Sequence, residues 1–175
     1  MYITNGRVYS QKVQHCIIVK STIKTKNVSS MLKNNDDLSP KNLMARKDKV
    51  KYWIRSADQD WKVANHLFEK GDYSYALFFG HLTIEKILKA IFTDKMDKTP
   101  PFSHNLVYLS EKAGLELNDE SLELLEEVSD FNLEARYPDD KFSFYKKSTM
   151  EFTKKKLKQI EGLKKWLLQD LQLSI

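Results

Sequence analysis

His81, Glu85 and Lys89 are the residues of this chain whose types and spacing could most directly carry acid–base chemistry. At helical positions i, i+4 and i+8 they stack along one face and present an imidazole, a carboxylate and an ammonium together. The same row also describes an ordinary solvated helix flank, with Glu85 and Lys89 as a supporting ion pair. Spacing alone favours that plainer reading. His104 follows Ser103 at an expected helix start. A protonated imidazole there can hold an anion or make a helix-terminal hydrogen bond. No second ligand stands at metal-like spacing from it, and the four histidines are spread along the chain. Neither a metal nor a cofactor is therefore expected. The string Glu134-Ala135-Arg136-Tyr137-Pro138 places Arg136 in the last turn of an expected helix, where the dipole favours a cation. Its guanidinium can grip phosphate through two parallel hydrogen bonds, or pair with a carboxylate inside the fold. Lys154, Lys155, Lys156 and Lys158 read as a solvated face.

The elements that must position these groups are helices. Val50, Trp53, Ile54, Ala57, Trp61, Ala64, Leu67 and Phe68 recur at steps of three and four, laying one apolar face along a helix that Gly71 closes. Asp72 offers a cap to a second helix, about 73–93, whose wide apolar face suits a central position. Pro100 and Pro101 break the chain. Ser103 then caps a short helix ending at Gly114, and Asn118 caps another that Pro138 stops. Residues 139–147 read as a loop, and 148–173 as a last helix burying Phe152, Leu157, Ile160, Leu163, Trp166, Leu167 and Leu171. The expectation is an all-α, antiparallel up-and-down bundle of four long helices plus one short one, spanning residues 44–175.

Residues 1–43 read as a basic, poorly ordered extension, with Met31 and Met44 as alternative starts. They carry seven basic and two acidic residues, whereas 44–175 carry 22 of each. The whole net charge of +5 thus belongs to the extension, and the bundle lacks the domain-wide basic footprint of a phosphate-backbone binder. A single cysteine excludes an internal disulfide framework. No apolar run is long enough for a membrane span and no leader pattern is present, so a cytoplasmic location is expected. There is no Gly-rich phosphate loop and no nucleophile elbow. The number of apolar and aromatic residues suggests a homodimer.

Taken in order, Trp53-Ile54 with Ala57, Asp60-Trp61 and Ala64 on the first helix, Gly71-Asp72-Tyr73 with Ala76, Glu85-Lys86-Ile87-Leu88-Lys89-Ala90, Ser103-His104-Asn105-Leu106 and Ala135-Arg136-Tyr137-Pro138 resemble the HEPN family (higher eukaryotes and prokaryotes nucleotide-binding) over roughly residues 49–171. That resemblance implies a helical bundle, often a dimer with a composite site. Many members are ribonucleases, often toxins, and others act beside a minimal nucleotidyltransferase partner. The ribonuclease members carry an arginine followed four to six residues later by a histidine. Arg136 matches the arginine, but Lys141, Phe142 and Ser143 occupy the histidine positions. RNA cleavage without metal needs a group that takes and returns protons near neutral pH, as imidazole does. The expected role is therefore a binding and partner module for a nucleotide or RNA, in a two-component, toxin–antitoxin-like pair with a nucleotidyltransferase. Arg136 would bind phosphate, with Tyr137 and His104 nearby and Lys89 as a second cation. The alternatives are a metal-independent endoribonuclease toxin using His104 or His81 beside Arg136, and a ligand-free dimeric scaffold with Arg136 and Glu85 as internal ion-pair residues.

Overall fold

The computed structural model describes residues 40–172, and the expected extension lies outside them apart from residues 40–43, which open the first helix. The described residues form six helices and no strand: α1 (Pro40–Lys70), α2 (Tyr73–Met96), α3 (Leu106–Lys112), α4 (Asp119–Arg136), α5 (Ser143–Lys147) and α6 (Met150–Gln172). The all-α bundle expected from periodicity is present, with four long helices. It has two short helices rather than one, because α5 forms inside the segment expected to be a loop. Only five residues long, α5 is too short to show a period. Its start is set by Asp139, whose carboxylate accepts the Ser143 backbone N–H at 2.7 Å.

Helix ends follow local chemistry. At the end of α1, Gly71 takes a left-handed φ of +85°, and Asp72 N–H donates to Leu67 O at 2.9 Å, closing the helix with a Schellman-type turn. Asp72 occupies the cap position of α2, yet its side chain makes no capping hydrogen bond, contrary to the expectation for it. The cap of α3 is Asn105, which accepts from Tyr108 N at 2.8 Å; Ser103 instead accepts from Asn105 N. Asn118 caps α4 as expected, accepting from Ser121 N at 2.9 Å. Thr149 caps α6 through Phe152 N.

Sixteen of the 24 residues of α2 are buried, on all sides of the helix, which makes it the central element. Helix α1 runs antiparallel to it, with Arg46 beside Asp94, Trp53 beside Lys89 and Asp60 paired with Lys86. Helix α4 is also antiparallel to α2, with Val128 against His81 and Arg136 against Phe78. The core fills with Leu77, Ile84, Ile87, Leu88 and Ile91 of α2, Leu125, Val128 and Phe131 of α4, and Ile160, Leu163 and Leu167 of α6. Trp166, expected in the core, is 42% exposed, and Leu133 of α4 is 60% exposed. Trp166 flanks Leu163 and Leu167 on its helix, where periodicity defines a face only coarsely.

Gly80 lets α6 approach the middle of α2. A Cβ there would meet Ile160 Cδ1 at 3.0 Å and Leu157 Cδ2 at 3.5 Å. Gly80→Val is expected to destabilise the fold by about 1–3 kcal/mol through overpacking, read as a lowered urea midpoint.

Candidate functional site

The row His81, Glu85 and Lys89 is not a solvated flank. All three residues are buried, at 0%, 5% and 8% exposure. The reason is the central position of α2: from Thr83 to Asp94 every residue but Lys86 is buried, polar ones included. A charge placed there must be matched by donors. Glu85 achieves this with its two oxygens. Oε1 accepts from Lys89 Nζ at 2.6 Å, while Oε2 faces His81 Nε2 at 3.2 Å and His104 Nδ1 at 2.9 Å. Lys89 also lies over the Trp53 ring of α1.

His81 is fixed from its other side as well. Its Nδ1 lies 3.1 Å from the Val128 carbonyl oxygen of α4. A carbonyl only accepts, so Nδ1 carries a hydrogen and donates. His104 arrives from the strip before α3, with its side chain half exposed. That strip is anchored by the Asn105 cap and by Leu106 N–H, which donates to Ser129 Oγ at 3.0 Å; Ser129 in turn donates to Leu125 O within α4. Helix α2 and the strip before α3 thereby meet at one carboxylate, and α4 is tied to it through His81. Burial pushes the Glu85 carboxyl upward, but the hydrogen bonds from His81, Lys89 and His104 outweigh it and hold its pKa at about 2. Although spread along the sequence, His81, Glu85 and His104 bring one potential ligand atom each to within 4.8 Å of one another.

Arg136 belongs to a different part of the surface. It is exposed at the end of α4, where its Nε donates to Asn132 O at 2.9 Å. The guanidinium lies between two rings, 5.7 Å from Phe78 and 5.4 Å from Tyr137. Among the described residues no carboxylate pairs with it, so the internal ion pair considered from sequence is not formed. Tyr137 is 69% exposed. Tyr145 donates to Ala135 O just behind, and stacks edgewise against Tyr75 and Phe142. Helical rise separates Phe78 from Glu85 by about 10 Å and from Lys89 by about 16 Å along α2. Within one chain, Lys89 and His104 therefore do not stand beside Arg136. Lys156 of the basic run pairs with Glu127, while Lys154, Lys155 and Lys158 are exposed.

The partners that complete the buried cluster are not legible from sequence. The Val128 contribution is a backbone carbonyl, and Ser129 sits mid-helix with no distinctive neighbours. Phe78 beneath Arg136 reads as one more apolar residue of the central helix.

The family model for the HEPN domain matches residues 50–171, and the chain belongs to that family. Membership places it among nucleotide- and RNA-related modules. The crystal structure of TT1696 from Thermus thermophilus shares the fold, with a TM-score of 0.60 at 17% identity, covering 69% of this chain and 97% of that one. No curated protein matches. Among the described residues, no helix is long and apolar enough to cross a membrane.

Glu85→Gln removes the charge that balances Lys89 and faces both histidines, and is expected to cost about 2–4 kcal/mol in denaturant titrations near neutral pH. In the wild type the folded-state pKa of Glu85 lies below its ordinary 4.5. Its stabilisation is therefore complete above pH 4.5 and is lost as pH falls toward about 2. Unfolding free energies measured across that window should fall more steeply for wild type than for Glu85→Gln.

Proposed function

We propose that this HEPN domain is a binding module that takes a phosphate-bearing ligand, a nucleotide or an RNA segment, on Arg136 and Tyr137. The observation that carries the reading is the state of Arg136. Its Nε is held by Asn132 O, two rings flank it, and no described carboxylate neutralises it. A braced guanidinium retains its outer nitrogens for bidentate contact with phosphate. The exposed Tyr137 ring supplies a face on which a base can stack, a mode that tolerates any sequence. The domain's balanced charge fits a single phosphate clamp better than a long electrostatic groove.

Partnership belongs to the same reading. The exposed aromatic and apolar residues around Arg136, namely Leu133, Tyr137, Phe142 and Tyr75, suit a contact with a second copy or with a nucleotidyltransferase. In such a pair the HEPN chain is the component that presents the phosphate clamp. The ribonuclease alternative draws less support, because His81 and His104 are both engaged by Glu85.

Binding of ATP and of a fluorescent single-stranded RNA, measured by anisotropy on the full chain, tests this reading. Arg136→Ala is expected to weaken binding by about tenfold or more while leaving the melting temperature near that of wild type. Tyr137→Ala should cost about 1–3 kcal/mol of binding free energy for a stacked base. A scaffold without ligand gives the opposite pattern: lowered stability in Arg136→Ala and no binding in any form.

A further inference from the structure

At His81 the role of one ring nitrogen is decided by what lies between it and Glu85. The Val128 carbonyl takes the Nδ1 hydrogen, so Nε2 is the nitrogen free to offer a lone pair. That nitrogen faces a carboxylate oxygen at 3.2 Å, and the same oxygen faces His104 Nδ1 at 2.9 Å. Lone pairs aimed at one another in a buried place repel unless an electrophile sits among them. Either a proton or a metal ion meets that requirement.

We propose that His81 Nε2, Glu85 Oε2 and His104 Nδ1 form a binding site for one divalent transition-metal ion of the zinc class. The three atoms already lie within 4.8 Å of one another. Ligand atoms on a tetrahedral ion with bonds of about 2.0–2.1 Å stand roughly 3.3 Å apart; the separations of 3.2 and 2.9 Å to Glu85 already match, and a turn of the half-exposed His104 side chain closes the third. Two ligands come from one helix face at i and i+4, and the third comes from a strip that Asn105 and Ser129 hold in place.

The surroundings match what such an ion requires beyond its ligands. Each buried ligand has its remaining polar atom engaged elsewhere: His81 Nδ1 by Val128 O, and Glu85 Oε1 by Lys89 Nζ. These outer contacts fix the imidazole tautomer and orient the carboxylate. Two imidazoles with one carboxylate favour zinc, cobalt or nickel over calcium and magnesium, which prefer all-oxygen shells. Three protein ligands leave a fourth position on the side where His104 meets solvent. With Lys89 and a divalent ion sharing a single carboxylate, positive charge is in excess, which favours an anionic ligand there. This site is separate from Arg136 and does not rest on the phosphate clamp.

The test uses the full chain carrying His15→Ala and Cys16→Ser, which removes other soft donors, after stripping with chelator. Cobalt(II) titration followed by visible absorption, and zinc equilibrium dialysis with elemental analysis, should each give about one ion per chain. His104→Ala and His104→Gln, the latter keeping a hydrogen-bond donor, are expected to weaken binding about tenfold or more and to abolish the cobalt bands at unchanged helical content by circular dichroism. His66→Ala, on α1 and away from the cluster, should bind as the parent does. Absence of bound ion in the parent, or unchanged binding in both His104 variants, overturns the proposal and leaves the cluster as a proton-linked ion pair only.

Discussion

A carboxylate sealed inside a helical bundle has to be matched by donors, and Glu85 imposes that condition on this chain. Its two oxygens engage groups from α2 itself and from the strip before α3, while His81 carries the connection on to the α4 backbone. Had Glu85 stood alone, the desolvation of its charge would exceed anything the neighbouring apolar contacts could offset. With its donors in place, the same charge becomes a reason for three segments to hold one relative position. Apolar packing brings α2, α4 and α6 together without direction. The polar cluster adds direction, because hydrogen bonds tolerate little displacement.

The central helix connects this interior to the surface. Toward its first turns, α2 provides Phe78, on which Arg136 rests; further along it provides His81, Glu85 and Lys89. The two groups are distinct in character. The buried one is dense in hydrogen bonds and half closed to water, whereas Arg136 is a braced, exposed cation among rings. Arg136 rests on Phe78, whereas His104 and Lys89 meet Glu85 about two turns further along α2. The rise along α2 keeps the two groups separate.

Much of the fold is legible in the residues themselves. Steps of three and four locate the long helices, Gly71 and Gly114 mark two helix ends in the left-handed conformation that glycine adopts readily, and Asn118 names its own cap. Sequence and structure part where local patterns are ambiguous. Ser103 and Asn105 are both competent caps two residues apart, and only the path of the chain into Ser129 chooses Asn105. Helix α5 is shorter than two turns and carries no periodic signal. The burial of His81, Glu85 and Lys89 escapes the pattern because their spacing is the same on a wet face and on a covered one.

The amino-acid sequence by itself determined the helices, most of their ends, the family and the candidate arginine, because each rests on residue type and on separations of a few positions. The tertiary structure decided which polar residues face water and which face each other. His104 meets Glu85 across 19 positions and His81 meets the Val128 carbonyl across 47. Distances of that kind are set by how helices pack, and a backbone carbonyl leaves no mark in the sequence.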